Sequence, residues 1–142
     1  MSKLLTLRGK VTAGTTDNRL TLFDGRFDTA FRIKEITCAP AGSPSNNNDC
    51  SMILYTEEGA VTSNDWDWSD NRQIGWGLYL QAGTDTTFNE FNKYDRDAFI
   101  VEDLYIAAFS NKTEVNYEIV LEKVDISDWQ GALAMVRNKS QG

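Results

Sequence analysis

The chain contains no histidine. That one absence removes Ser-His-Asp and Cys-His nucleophile systems, imidazole metal ligands and the zinc-protease helix motif. Cysteine is scarce, with only Cys38 and Cys50, too few for a four-cysteine zinc site. No glycine-rich phosphate loop ends in Lys-Ser/Thr, and no Gly-x-Gly-x-x-Gly opens a helix. Nothing approaches the ~20 consecutive apolar residues of a membrane helix, so no membrane partner is expected. Residues 1–8 lack the apolar core and small-residue cleavage site of a signal peptide, and the expectation is a chain made in the cytoplasm. Carboxylate-pair catalysis survives on residue type alone. Nothing in the sequence pairs any two of the acidic residues, so the expectation is a protein that is not an enzyme and carries no cofactor.

Cations are in deficit as well. Lys and Arg number 14 against 21 Asp and Glu, for a net charge of −7. Phosphate binding needs a clustered cationic surface, so nucleic acid is not an expected partner. The deficit is uneven: residues 1–36 hold seven Lys/Arg against four Asp/Glu. A basic first quarter on an acidic chain suits docking against an acidic neighbour, including a second copy of the chain. The plainer reading is scattered solubilising charge.

What the chain does have is strand pattern. Leu5 and Leu7 alternate with Thr6 and Arg8 in a first strand, residues 3–11. Residues 19–23 read as a short second strand, followed by Asp24-Gly25, a hairpin turn signal. Residues 27–39 form a third, with Phe31 and Ile33 in alternation and a phase slip at Glu35-Ile36 that predicts a bulge. Both prolines and three consecutive Asn fall between 40 and 49, an exposed excursion. Residues 51–56 read as a strand whose middle, Met52 to Tyr55, is apolar without alternation, the pattern of a strand central in its sheet. Residues 72–82 place Ile74, Trp76, Leu78 and Leu80 on one face, with Gly75 and Gly77 opposite to admit a close neighbour. Residues 83–97 read as a long polar loop carrying Phe88, Phe91 and Tyr94, with room for a helical turn.

Residues 99–109 are the most apolar run, and the rest of the chain is organised around them. A turn at 110–114 leads into a return strand, 115–124, with Val115, Tyr117, Ile119 and Leu121 on its buried face. Ser127 and Gln130 make a capping pair, and Trp129, Leu133 and Val136 recur at helical spacing. The expected architecture is all-β, an antiparallel β-sandwich of the jelly-roll type with a short C-terminal α-helix. Residues 1–126 form the sandwich domain. Residues 127–142 are the helix and tail, part of that domain or an assembly arm. Trp129, Leu133, Val136 and Arg137 are then interface candidates, with a basic last turn through Arg137 and Lys139.

Chemistry concentrates in residues 64–71. Asp65, Asp67 and Asp70, with Ser69, resemble the start of an oxygen-rich calcium loop. An EF-hand needs glycine at its sixth position and glutamate at its twelfth; Asp70 and Trp76 stand there instead. The plainer reading is an acidic surface loop whose Trp66 and Trp68 fold back on the core. Trp66, Trp68, Trp76 and Tyr79 would also suit stacking on sugar rings or a subunit interface, although Trp76 shares its face with Ile74 and Leu78 and reads as core. Cys38 and Cys50 bracket the 39–49 loop. They are either two reduced thiols or a bridge formed in an oxidising medium, worth roughly 3 kcal/mol in the chain-entropy picture.

With those residues in view, the chain resembles the small virion structural proteins of tailed marine bacteriophages. The likeness rests on its size and its acidic β character. It rests also on the segments 22–28 (Leu-Phe-Asp-Gly-Arg-Phe-Asp), 70–76 (Asp-Asn-Arg-Gln-Ile-Gly-Trp) and 127–137 (Ser-Asp-Trp-Gln-Gly-Ala-Leu-Ala-Met-Val-Arg). The resemblance implies a capsid-decorating or tail-associated subunit located in the virion. Its partners would be itself, as a symmetric homo-oligomer, and other virion proteins such as the major capsid protein. It brings no catalytic residues. The alternative is a carbohydrate- or ligand-binding β-sandwich module.

Overall fold

A computed structural model describes residues 3–22, 29–42, 47–81 and 88–125. These form eight strands: β1 (Lys3–Thr12), β2 (Thr15–Thr21), β3 (Thr29–Pro40), β4 (Asn48–Tyr55), β5 (Gln73–Gln81), β6 (Phe88–Tyr94), β7 (Asp103–Ser110) and β8 (Glu114–Asp125). They make two antiparallel sheets, a three-stranded one ordered β1-β8-β3 and a five-stranded one ordered β2-β7-β4-β5-β6. The Asp24-Gly25 turn and the expected C-terminal helix, with Trp129, Leu133, Val136 and Arg137, lie outside the described residues.

The sheets share one core. Ile33, Ile36, Ile119 and Leu121 come from the smaller sheet, and Met52, Leu54, Ile74, Leu104 and Ile106 from the larger. This is a β-sandwich. β4 is the middle strand of the larger sheet, which accounts for its unbroken apolar run: residues 51–55 are buried on both faces.

The sequence suggested a β7–β8 hairpin, and the structure corrects this. β7 lies in the larger sheet and β8 in the smaller, so residues 111–113 carry the chain from one sheet to the other. β1 and β2 are parted in the same way around Ala13 and Gly14. The two corners are tied together, since the Ala13 amide donates to the Thr113 carbonyl at 3.0 Å and the Gly14 amide to that of Ala108 at 2.8 Å. Gly14 turns its corner at φ +79°, a conformation glycine reaches without strain.

Bulges decide which side chains go where. In β3 the register with β8 slips between Ile33 and Glu35, so the expected bulge is present, with Lys34 as the extra residue. In β5 it slips opposite Leu54 and Tyr55, with Ile74 as the extra residue. Ile74 therefore enters the inter-sheet core, while Trp76 points to the opposite, outer face. The sequence had put both on one face. The 83–97 stretch also departs from its expectation: residues 88–94 pair with β5 as an edge strand. The sequence read this stretch as a polar loop with room for a helical turn, but pairing with β5 satisfies its backbone as a strand.

Candidate functional site

The outer face of the larger sheet carries Ile53, Tyr55, Trp76, Tyr105 and Ala107, too much apolar surface to leave in water. Residues 56–72, which join β4 to β5, lie across it and contribute Ala60, Val61 and Trp66 to a second, smaller core. The loop is pinned at three points. Tyr55 Oη donates to Asp17 Oδ1 at 2.8 Å, and the Gly59 amide donates to the same oxygen at 2.9 Å. Asp17 reaches that position from a bulge in β2, at φ 57°. Burial, followed by the hydrogen bond to Asp17, pushes the Tyr55 phenol above its ordinary value.

The second anchor is a fork. Arg72 donates from Nε to Asp70 Oδ1 at 3.0 Å and from Nη2 to Oδ2 at 2.9 Å, and it reaches Glu57 at 3.4 Å. Burial alone would raise the Asp70 carboxyl, but the Arg72 hydrogen bonds and charge outweigh it and hold the group below its ordinary value. The third anchor is Gln73, whose Oε1 accepts both the Trp76 indole N–H and the Asp67 amide, each at 3.0 Å. Trp76 is thereby buried, as the sequence suggested.

The calcium candidates do not converge. Asp70 is held in the Arg72 fork, Asp67 Oδ1 accepts the Ser69 amide at 3.0 Å, and Asp65 accepts from the Ser63 hydroxyl at 3.1 Å. Among the described residues, no three His, Cys, Asp or Glu side chains gather as a metal site.

Beyond the loop, apolar surface stays open. Trp68 is 56% exposed, Phe91 42% and Leu80 39%. The Trp68 ring stacks on Phe91 with centroids 6.5 Å apart and planes 12° apart. Trp66 stacks on the same phenyl ring at 5.8 Å, and Trp68 leans on Trp76 at 5.9 Å. Lys93 lies over the Trp68 ring at 5.5 Å, a cation–π contact that leaves its charge at the rim. The patch sits at the edge of the sheet, where among the described residues no strand pairs with the outer side of β6.

Of the aromatics singled out in the sequence, the structure thus brings Trp66, Trp68 and Trp76 together. Tyr79 is separated from them, because it lies against the inter-sheet core. Phe91 is the residue sequence reasoning missed. No local pattern marked it, because Phe91 reaches this face only through the pairing that sets it opposite Leu78.

Beside this patch runs a groove of about 410 Å³, lined by Leu78, Leu80 and Phe109 together with Asp49, Ser51, Asn64 and Asn111. Its polar rim is organised: the Asn111 amide donates to Asp49 Oδ1 at 2.9 Å, and Ser51 Oγ donates to Asn64 Oδ1. No helix among the described residues is long and apolar enough to cross a membrane. No family model matches the chain, and no curated protein matches it by sequence.

Proposed function

We propose that this chain is a non-enzymatic structural subunit of a virus particle, a capsid-exterior or tail-associated part. It works through protein–protein contacts, with further copies of itself and with other virion proteins such as the major capsid protein. The observation that carries the assembly reading is the open Trp68–Phe91–Leu80 patch at a sheet edge that no other described strand covers. Exposed, clustered aromatics of this kind are the usual anchors of subunit interfaces. Covering Trp68 and Phe91 would remove on the order of 100 Å² of apolar surface each, worth roughly 2–3 kcal/mol per ring.

The strand order supports the virion half of the reading, together with the sequence resemblance. A long hairpin of eight strands, folded over into a jelly roll, pairs the first with the eighth, the second with the seventh and the fourth with the fifth. All three pairs occur here. The remaining pair is opened, with β6 moved beside β5, yet Tyr94 Oη of β6 still donates to the Lys34 carbonyl of β3 at 2.6 Å. Jelly rolls serve capsids and lectins alike, so the order alone does not choose between them. Mass spectrometry of purified phage particles whose genome encodes the chain tests the reading. The chain is expected at stoichiometric level, and its absence from particles would refute the proposal.

One observation favours a second reading, a carbohydrate- or ligand-binding module. The groove beside the patch joins an apolar floor, Leu78, Leu80 and Phe109, to the hydrogen-bonding groups of Asp49, Asn64 and Asn111. That pairing suits the apolar face and hydroxyl rim of a neutral sugar. Calorimetric titration with neutral oligosaccharides tests it; saturable heat lost in Phe109→Ala would support it, and no heat for any of them would end it.

A further inference from the structure

Cys38 and Cys50 come from opposite sheets. Cys38 lies on β3 opposite Tyr117, and Cys50 lies on β4 between Tyr79 and Ser110. Both thiols are free, each side chain is 2% exposed, and both belong to the inter-sheet core. They lie side by side there, close enough for the Cys50 thiol to act directly on that of Cys38. Gly77 makes the room, since a Cβ at that position would lie 3.0 Å from Cys38 Sγ. The two are thus neighbours in the inter-sheet core, and neither belongs to the Trp68–Phe91 patch.

We propose that Cys38 and Cys50 are a latent cross-sheet disulfide, closed by a small-molecule disulfide oxidant when the protein leaves a reducing compartment. One thiolate attacks the external disulfide, releasing one small thiol and leaving a mixed disulfide. The second cysteine then displaces the remaining small thiol, forming the Cys38–Cys50 bond. Two electrons pass to the oxidant, and the two cysteine protons end on the two thiols released. The bond would tie β3 to β4 across the sandwich and close the loop between them, which restrains the unfolded chain.

The environment also sets the rate. The neighbouring Cys50 thiol, then burial, push the Cys38 thiol well above its ordinary value. Both thiols are also shut away from solvent, and the thiolate is the reactive form, so an external disulfide reacts slowly with the folded protein and fast with a chain still folding. This inference is independent of the assembly reading, because it needs only the fold.

The test uses the full chain with oxidised glutathione, once on native protein at mildly alkaline pH and once during refolding from urea. The expected product is two hydrogens lighter than the reduced chain and yields one linked peptide pair. It resists alkylation until treated with dithiothreitol and melts about 10 °C higher. Formation in the refolding arm is expected to be the faster, and Cys38→Ser should show neither the mass change nor the shift. Two alkylatable cysteines in both arms would overturn the proposal. So would glutathione retained on either residue, disulfide-linked dimers, or a bond that lowers the melting temperature.

Discussion

Trp68 lies nearly parallel to Phe91, 12° between planes at 6.5 Å, although the two residues come from a loop and from an edge strand. The stack holds the loop residue in place without burying it. Trp68→Ala should therefore cost folding little, within about 1 kcal/mol, as for other exposed positions. Urea unfolding checks this; a loss of several kcal/mol would make the stack part of the core rather than a surface prepared for a partner.

Tyr55 and Asp17 give a prediction with a defined pH dependence. The Tyr55 phenol is raised in the folded chain above its ordinary value of 10.0. Between those two values the unfolded chain has lost the proton and the folded one has kept it, so stability falls as pH rises past about 10. Tyr55→Phe should cost roughly 1.5–3 kcal/mol at neutral pH, because the lost hydrogen bond was to a carboxylate. It should also flatten the alkaline fall. Melting temperatures of both proteins across pH 8–11 measure this, and parallel curves would contradict it.

Asp70 has the opposite sign. Its carboxyl is held below its ordinary value of 3.8 by Arg72, so the pair stabilises above that pH and the contribution is lost as pH falls through the folded value. Asp70→Asn should cost about 1–2 kcal/mol at neutral pH, and the difference from the parent should shrink in acid. Chelator and added calcium should leave the melting temperature of either protein unchanged. A calcium-dependent rise would restore Asp65, Asp67 and Asp70 as a metal loop.

Gly77 tests the inner core. A methyl group there would stand 3.0 Å from Cys38 Sγ and 3.2 Å from Asn92 Oδ1. Gly77→Ala should destabilise by about 1–3 kcal/mol, the usual cost of overpacking. In a Cys38→Ala background the cost should drop, because the sulfur is gone. Equal costs in both backgrounds would place the clash elsewhere.

Much of this fold was legible in the sequence, and the reasons are local. Alternation in β8 marked Val115, Ile119 and Leu121 as inward, and the unbroken run in β4 marked it as central. The phase slip near Glu35 marked a bulge. Connectivity was less legible, since a short polar turn such as 111–113 serves a hairpin or a crossing between sheets equally well. Only the long-range pairing of β8 with β1 and β3 decides between the two. The site was half legible. Trp66 and Trp68 announced themselves by composition. Phe91 joined them through a strand register that no local pattern fixes, and Ile74 left Trp76's face through a one-residue slip.

The proposal that the Trp68–Phe91 face joins subunits is tested by size-exclusion chromatography with light scattering, run on the full chain and on a Trp68→Ala/Phe91→Ser double variant. The parent should form a discrete oligomer. The variant should be a monomer with an unchanged β-sheet circular dichroism spectrum. A parent that stays monomeric at every concentration, or a folded variant that assembles as the parent does, would contradict it.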